Sequence, residues 1–385
     1  MQSSTYRSTR LGILGGGQLG RMLIQEAVNL DIHISVLDPD PAAPCASLAD
    51  VFHLGSFKDY DTVMAFGQNV DILTVEIEHV NVNALETLEK AGKVVRPSSK
   101  TLRLVQDKGL QKIFYRTHGI PTAEFHLIQS ANELTQHTGL LPVMQKLRTG
   151  GYDGKGVTPI RTAQDFNTAF NAPSVLEKMV DFEKEIAVIV ARRPDGSCIT
   201  YPAVEMEFNS EANLVEFLFA PASISLATAN EANDIAIQLA EALQLEGILA
   251  VELFVTKDGH LLVNEIAPRP HNSGHTTIEA NVTSQYEQHL RAILDLPLGD
   301  TSLLQANVMV NLLGEKGSEG PVSYAGMNEC LSISGVHIHL YGKTNTKPFR
   351  KMGHVTICDG QLESAINKAK QVQRLLKAVG KNPIS

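Results

Sequence analysis

Residues 247–270, GILAVELFVTKDGHLLVNEIAPRP, read as two strands folding back at Asp258-Gly259. Asp-Gly between apolar runs is a strong hairpin signal, because glycine accepts the left-handed backbone of a tight turn. A two-residue turn pairs Lys257 with His260, and counting back along the ladder sets Glu252 opposite Glu265. Opposed Cβ atoms stand about 4.5–5.5 Å apart, and like charges so placed destabilise a sheet. Two carboxylates held together need a bridging cation or a shared proton. Oxygen ligands alone suit Mg2+, which binds one or two carboxylates together with substrate phosphates. Arg269 follows at once and is available to an anion. The competing reading is a longer turn, a slipped register and one solvated glutamate.

Upstream, TGGYDGKG (149–156) carries Gly150, Gly151, Gly154 and Gly156, a backbone able to fold its amides around phosphate oxygens, with Lys155 as a point charge. It is not a Walker A loop, which needs Ser or Thr after Gly-Lys; here Gly156 follows Lys155. So much glycine also permits a lid that closes over a nucleotide, the plainer alternative being a flexible surface loop. Tyr152 and Asp153 at its centre are odd for a mere linker. Lys108, in QDK, and Lys146, ending PVMQK, are candidates to neutralise phosphate, or else solvated element ends.

YGKTNTKPFRKMGH (341–354) gathers Lys343, Lys347, Arg350 and Lys351 in an acidic chain. It suits either a phosphomonoester clamp or a solvated basic turn. His271 and His275 have a zinc spacing for a helix, but Pro and Gly disfavour a helix there and no third ligand lies nearby in sequence. His337 and His339 read as structural residues of a strand.

The first hundred residues alternate strand and helix: LGILG (11–15), a helical run through Leu19, Met22, Leu23, Ala27 and Leu30, then IHISVLD (32–38) and VDILTVEIE (70–78). That order predicts a parallel sheet covered by helices. GGGQLG (15–20) fits the dinucleotide fingerprint G-x-G-x-x-G. It keeps an NAD- or FAD-binding oxidoreductase as a distant alternative, although nothing downstream offers a hydride-transfer site. Further helices are expected over 229–244 and, amphipathic and terminal, over 362–379.

The 385 residues are 43% apolar and 19% charged with a net charge of −9. This is an ordinary soluble composition, and its sign excludes a general polyanion binder, so no nucleic-acid partner is expected. Four scattered cysteines read as reduced thiols. The polar start, MQSSTYRSTR, lacks a signal-peptide core, and no apolar run is long enough to span a bilayer. The expectation is a cytoplasmic enzyme with a loose tail at 1–9 and no membrane partner.

Taken in order, GILGGGQLGRM, QDK, KLRTGGYDGKG, VLEKMVDFEKE, VELFV, NEIAPRPHNSGH and YGK…FRKMGHVT resemble the N5-carboxyaminoimidazole ribonucleotide synthetases, ATP-grasp enzymes of purine biosynthesis. The resemblance implies an α/β and α+β architecture. Its parts are a Rossmann-like pre-ATP-grasp domain (10–104), an ATP-grasp domain (105–296) with a mobile lid (about 120–185), and a small C-terminal domain (297–385). It implies ATP, Mg2+, bicarbonate and 5-aminoimidazole ribonucleotide as reactants, and a homodimer. Lys108, Lys146 and the 150–156 loop, Lys155 included, would contact phosphates. Glu177, Lys178 and Val180 would form the adenine hinge and Glu185 would hold the ribose. Glu252 and Glu265 would bind metal beside Asn264. Gln18, Leu19, Glu76, Asn272, Lys343, Arg350 and Lys351 would hold the ribonucleotide. Tyr152, Asp153, Lys155 and Arg269 are the candidate catalytic residues, Asp153 as proton acceptor. Met206, Phe208 and Thr276 depart from the family pattern, standing where members often carry Asn, His and Trp. The nearest alternative is ATP-dependent formylation of glycinamide ribonucleotide; a catalytically dead scaffold is another.

Overall fold

The computed structural model describes residues 9–151, 155–209 and 214–383. The chain opens with five strands, β1 (Arg10–Leu14), β2 (His33–Asp38), β3 (Val51–Leu54), β4 (Ile72–Val75) and β5 (Val94–Val95). They pair in parallel in the order β3-β2-β1-β4-β5. Both faces are covered, so the central strands are apolar throughout rather than alternating. Helix α1 (Gln18–Asn29) starts straight after the glycine turn and buries Leu19, Met22, Leu23 and Ala27 along one stripe. Strand order reverses between β1 and β4. The crevice at their carboxyl ends is where open sheets of this kind bind ligands.

Four antiparallel strands follow, β6 (Phe125–Ile128), β7 (Val143–Leu147), β8 (Val157–Ile160) and β9 (Ser174–Lys178), in the order β6-β9-β7-β8. Next come β10 (Phe182–Arg192), β11 (Cys198–Thr200), β12 (Val204–Phe208), β13 (Val215–Ala220), β14 (Gly247–Thr256) and β15 (Leu261–Ala267). The last stretch adds β16 (Ala306–Leu313), β17 (Ser318–Ala325), β18 (Val336–Leu340), β19 (Asn345–Thr346), β20 (Lys351–Asp359) and β21 (Lys377–Pro383). An antiparallel sheet runs β15-β14-β10-β12-β13-β16-β20-β18, with β11 paired to the far end of β10. Thus strands from the final ninety residues continue the central sheet, joined where Phe217 pairs with Val310. One face of β10, β14 and β15 packs Ile186, Val188, Leu249, Val251, Leu253 and Val263 against the helix Leu226–Ala242. The opposite face of that hairpin buries Ile248, Ala250 and Ala267 at one end and carries Glu252, Asn264 and Glu265 beyond them.

The terminal helix ends at Leu375, not at residue 379 as its periodicity suggests. Leu376 turns extended, and Lys377–Pro383 pairs with β17 instead. Gly380 runs so close to Glu319 that a Cβ would fall 2.2 Å from the Glu319 carbonyl oxygen. Strand pairing with a distant segment overrides the local helical pattern. No helix among the described residues is long and apolar enough to cross a membrane.

Candidate active site

The hairpin at 247–270 does bring its glutamates together, by a different route from the one its sequence suggests. The turn has three residues, Lys257-Asp258-Gly259, closed by Thr256 N–H donating to the His260 carbonyl (2.9 Å), with Gly259 at φ +86°. Leu253 therefore pairs with Val263, one place off the two-residue register. A β-bulge at Asn264 then supplies an extra residue, and Glu252 pairs with Glu265. Two departures cancel. The bulge also turns Asn264 and Glu265 to the same face, beside Glu252, while Val263 and Ile266 stay in the core.

Lysines from the facing four-stranded sheet and from the helix before it close over this face. Asp107 caps helix Lys108–Thr117 by accepting from the Gly109 and Leu110 amides, and also holds Arg148 at the end of β7 (2.6 Å). That junction fixes Lys108, whose ammonium contacts Glu265. Lys146, on β7, donates to Asn264 Oδ1 (2.9 Å) and lies 2.9 Å from Glu177 Oε2. Lys112, one helical turn after Lys108, donates to Glu177 Oε1 (2.9 Å). Lys108, Lys112, Lys146, Glu177, Asn264 and Glu265 all line one cleft between the two sheets.

Charge is distributed unevenly across this cleft. Burial, with Glu265 and Glu185 adding repulsion, pushes the Glu252 carboxyl up to about 8. Lys108 holds Glu265 well below the usual carboxylate range. Burial also pushes Glu185 up to about 7, on β10 where Phe254 and Met206 flank it. Burial works against ionisation of Glu177, yet Lys146 and Lys112 together keep its carboxyl low. The Glu252/Glu265 pair thus offers closely set oxygens with one member reluctant to ionise alone, and an ammonium already sits on the other. Together with the amide oxygen of Asn264, that hard-oxygen donor set fits Mg2+.

The glycine turn holds a carboxylate of the chain itself. Glu76, directly after β4, accepts from Gly20 N–H (3.2 Å). A Cβ on Gly17 would lie 2.7 Å from Glu76 Oε1, and one on Gly15, at φ +97°, 2.7 Å from Glu76 Cγ. Burial raises the Glu76 carboxyl, while the Gly20 and Gly17 amides and Arg269 oppose that shift. Gly16 N–H is taken by Asp38 (2.7 Å). Helix-terminal amides that receive a pyrophosphate in dinucleotide folds are here engaged by side chains; Gln18 is half-buried beside them, while the Leu19 side chain lies in the core.

Arg269 pairs with Glu78 (2.8 Å) and so ties the hairpin to the N-terminal sheet. His271 Nε2 is 3.5 Å from Glu252 Oε1, with its Nδ1 against Ser273 (2.9 Å). His275 is buried, bonded to Tyr286 and packed on His354 at 4.6 Å; it belongs to the core. His339 pairs with Glu279 (2.5 Å). No group of three His, Cys, Asp or Glu side chains among the described residues is set to hold a metal. Asn272 exchanges amide bonds with Asn311 of β16 (2.9 and 3.0 Å). The basic loop is folded on itself, with Lys343 donating to the Lys351 carbonyl and Arg350 to the Asn345 carbonyl, both 2.7 Å. Gly342 lies against Arg21 of α1, and Tyr341 joins the core formed by Leu19, Met22 and Leu23. The loop therefore borders the crevice of the N-terminal sheet.

The remaining candidates lie at the edges. Gly150, Gly151, Lys155 and Gly156 form the link between β7 and β8, with Gly150 and Gly156 at positive φ. Tyr152, Asp153 and Gly154 lie outside the described residues. Lys178 and Val180 sit at the junction between the two sheets, Lys178 exposed and 3.8 Å from Glu124. Glu177, grouped with them in the sequence reading, turns its carboxylate to the lysines. Met206 and Phe208 line an apolar patch with Val204 and Leu218, and Thr276 is buried. Sequence reasoning missed Lys112 and Glu78. The spacing of four from Lys108 was a usable signal for Lys112; nothing local singles out Glu78.

A cleft between two antiparallel sheets, lysines on one side and paired carboxylates on the other, defines an ATP-grasp enzyme. In chain order, 8–106 match a ribonucleotide synthetase preATP-grasp domain, 113–286 an ATP-grasp domain, and 307–368 a phosphoribosylaminoimidazole carboxylase C-terminal domain. The N5-carboxyaminoimidazole ribonucleotide synthase of Bacillus subtilis is 37% identical over 91% of this chain and 92% of its own. A phosphoribosylaminoimidazole carboxylase of Vigna aconitifolia is 40% identical over 92% of this chain, which spans only 65% of that longer protein. The synthetase structure from Thermotoga maritima superposes with a TM-score of 0.90 at 43% identity, covering 97% of this chain and 100% of that one. An Aspergillus clavatus structure in complex with ADP and 5-aminoimidazole ribonucleotide gives 0.87 at 34%, covering 96% and 98%. The chain belongs to the N5-carboxyaminoimidazole ribonucleotide synthetase family.

Proposed function

We propose that the protein joins bicarbonate to the exocyclic amine of 5-aminoimidazole ribonucleotide, converting ATP to ADP and phosphate and forming N5-carboxyaminoimidazole ribonucleotide. The observation that carries this reading is the continuity of two sites. The lysine–carboxylate cleft meets the N-terminal crevice through Glu252, His271 and Arg269. Bicarbonate is a poor electrophile. Transfer of the γ-phosphoryl to one of its oxygens gives carboxyphosphate; the amine attacks its carbon, the C–O bond to phosphate breaks, and the amine proton passes to a base. Lys108 and Lys146 orient the phosphates, and positioning with charge neutralisation is most of what phosphoryl transfer requires. Mg2+ bound at Glu252 and Glu265 would supply further charge neutralisation. The glycine loop with Lys155 closes the cleft, because carboxyphosphate is lost to water unless solvent is excluded. Asp153 is the proposed base and Tyr152 orients the imidazole. Glu185 holds the ATP ribose, with Lys178 and Val180 beside the adenine. Glu76, Gln18, Leu19 and Asn272 hold the ribonucleotide, and Lys343, Arg350 and Lys351 its phosphate. The family resemblance also supports a cytoplasmic homodimer.

The test is product analysis with labelled bicarbonate. Label should enter an acid-labile carbamate, with ADP release dependent on the aminoimidazole ribonucleotide. ATP turnover only with glycinamide ribonucleotide and formate would overturn the assignment in favour of formyl transfer.

A further inference from the structure

Three lysines face three glutamates in the cleft, and the lysines are not equivalent. The Lys112 side chain is 4% exposed, against 14% for Lys146 and 21% for Lys108. Its ammonium donates to Glu177 Oε1 (2.9 Å) and to Thr122 Oγ1 (2.6 Å), and it lies 5.7 Å from the centre of the Tyr115 ring. Thr122 in turn donates to the carbonyl of Val263 on β15 (2.7 Å). Lys112 is therefore locked between the two sheets. Lys146 sits at the cleft wall, and its directed hydrogen bond goes to Asn264. Lys146 also lies 2.9 Å from Glu177 Oε2, so its ammonium is shared between Glu177 and Asn264.

We propose that Lys112 is a positioning residue, a fixed counter-charge to Glu177 that frees Lys146 to move from Glu177 onto the phosphates of an incoming nucleotide. This rests on the ATP-grasp reading of the cleft. Were Lys146 the sole partner of Glu177, each nucleotide would have to leave a buried carboxylate unpaired, at a cost that weakens binding. With Lys112 in place, Glu177 stays compensated whether Lys146 faces it or the phosphates.

The test combines steady-state kinetics, calorimetric titration with ADP and thermal melts. Lys112→Met should raise the KM for ATP and the Kd for ADP at least about tenfold while the ribonucleotide KM stays within about twofold. Lys112→Met with Glu177→Gln should recover most of the ADP affinity, a rescue that a packing role for Lys112 does not give. Lys146→Met, without nucleotide, should melt within about 2 °C of the parent, because Lys112 still neutralises Glu177. An ATP KM within about twofold of the parent in Lys112→Met, or a double variant binding no better than the single, overturns the idea. If Lys112→Met does not fold, a folded double variant with recovered ADP affinity supports it. If neither folds, the Lys146→Met melt decides, and a drop of more than about 2 °C refutes the proposal. ADP binding needs no turnover. A parent that binds ADP yet does not carboxylate the ribonucleotide would refute the proposed reaction and leave this test intact.

Discussion

Replacing Glu252 by Gln should give a protein that is more stable without metal and inactive with it. Glu252 and Glu265 are directly opposed in the ladder, and opposed Cβ atoms lie about 5 Å apart. Above about pH 8, where Glu252 is ionised as well as Glu265, two charges at that separation repel by about 3 kcal/mol at an effective dielectric constant near 20. Lys108 and Lys146 offset part of this at Glu252, leaving about 1–2 kcal/mol to be relieved by the neutral isostere. With about 2.1 cal/mol/K of unfolding entropy per residue over 385 residues, the melting temperature should rise by about 1–3 °C in EDTA. The Glu252 carboxyl is raised from its ordinary value to about 8. The parent is therefore unpenalised below the unfolded value near 4.5, where the group is protonated in both states, and loses stability as pH climbs from there to about 8. The Gln variant lacks that titration, so its advantage should open across the same window. In contrast, ATP cleavage should fall by about a thousandfold or more, and any stabilisation of the parent by Mg2+ should vanish. Scanning calorimetry at several pH values, paired with an ADP-release assay, checks both halves. A variant no more stable than the parent in EDTA, or one that still cleaves ATP, would refute the reasoning.

Two further outcomes follow from the crevice of the N-terminal sheet. Gly15→Ala forces a Cβ to within 2.7 Å of Glu76 Cγ at a φ of +97°. It should cost about 1–3 kcal/mol and raise the ribonucleotide KM, as read by chemical denaturation and kinetics; parental stability would show that Glu76 does not need the turn. Lys343→Ala combined with Arg350→Ala should raise the ribonucleotide KM by at least about tenfold and the ATP KM by less than about twofold; equal effects on both substrates would remove the phosphate role from the basic loop.

How far the sequence was legible depends on the range of the forces involved. The parallel N-terminal sheet follows from local periodicity, and its strands appear near the expected places. The opposition of Glu252 and Glu265 was also readable, though the turn length and the bulge each differ from the simple ladder and compensate. Asn264 gives no local sign that it is an extra residue, because a bulge is decided by partners across the sheet. Lys112 looked like one more polar position on a polar helix; its burial appears only when Glu177 and Thr122 close over it. The GGGQLG turn was read as a receiver of the substrate. That its amides engage Glu76 depends on β4 lying beside β1, sixty residues later. The joining of β16 to β13 is equally remote from anything the local sequence expresses.

Asn264 gives the cleft an amide oxygen that can be taken out without breaking the strand pairing around it. Leu253 pairs with Val263 on one side of it and Glu252 with Glu265 on the other, so deleting this single residue would close the ladder into an unbroken register. Val263 and Ile266 would keep their places in the core, and the two glutamates would still face each other. Lys146 alone would lose its amide acceptor. Fold and chemistry are usually too entangled for a residue to be deleted rather than replaced. Here the insertion is a detachable stitch, present in the fabric for what it holds and not for what it supports.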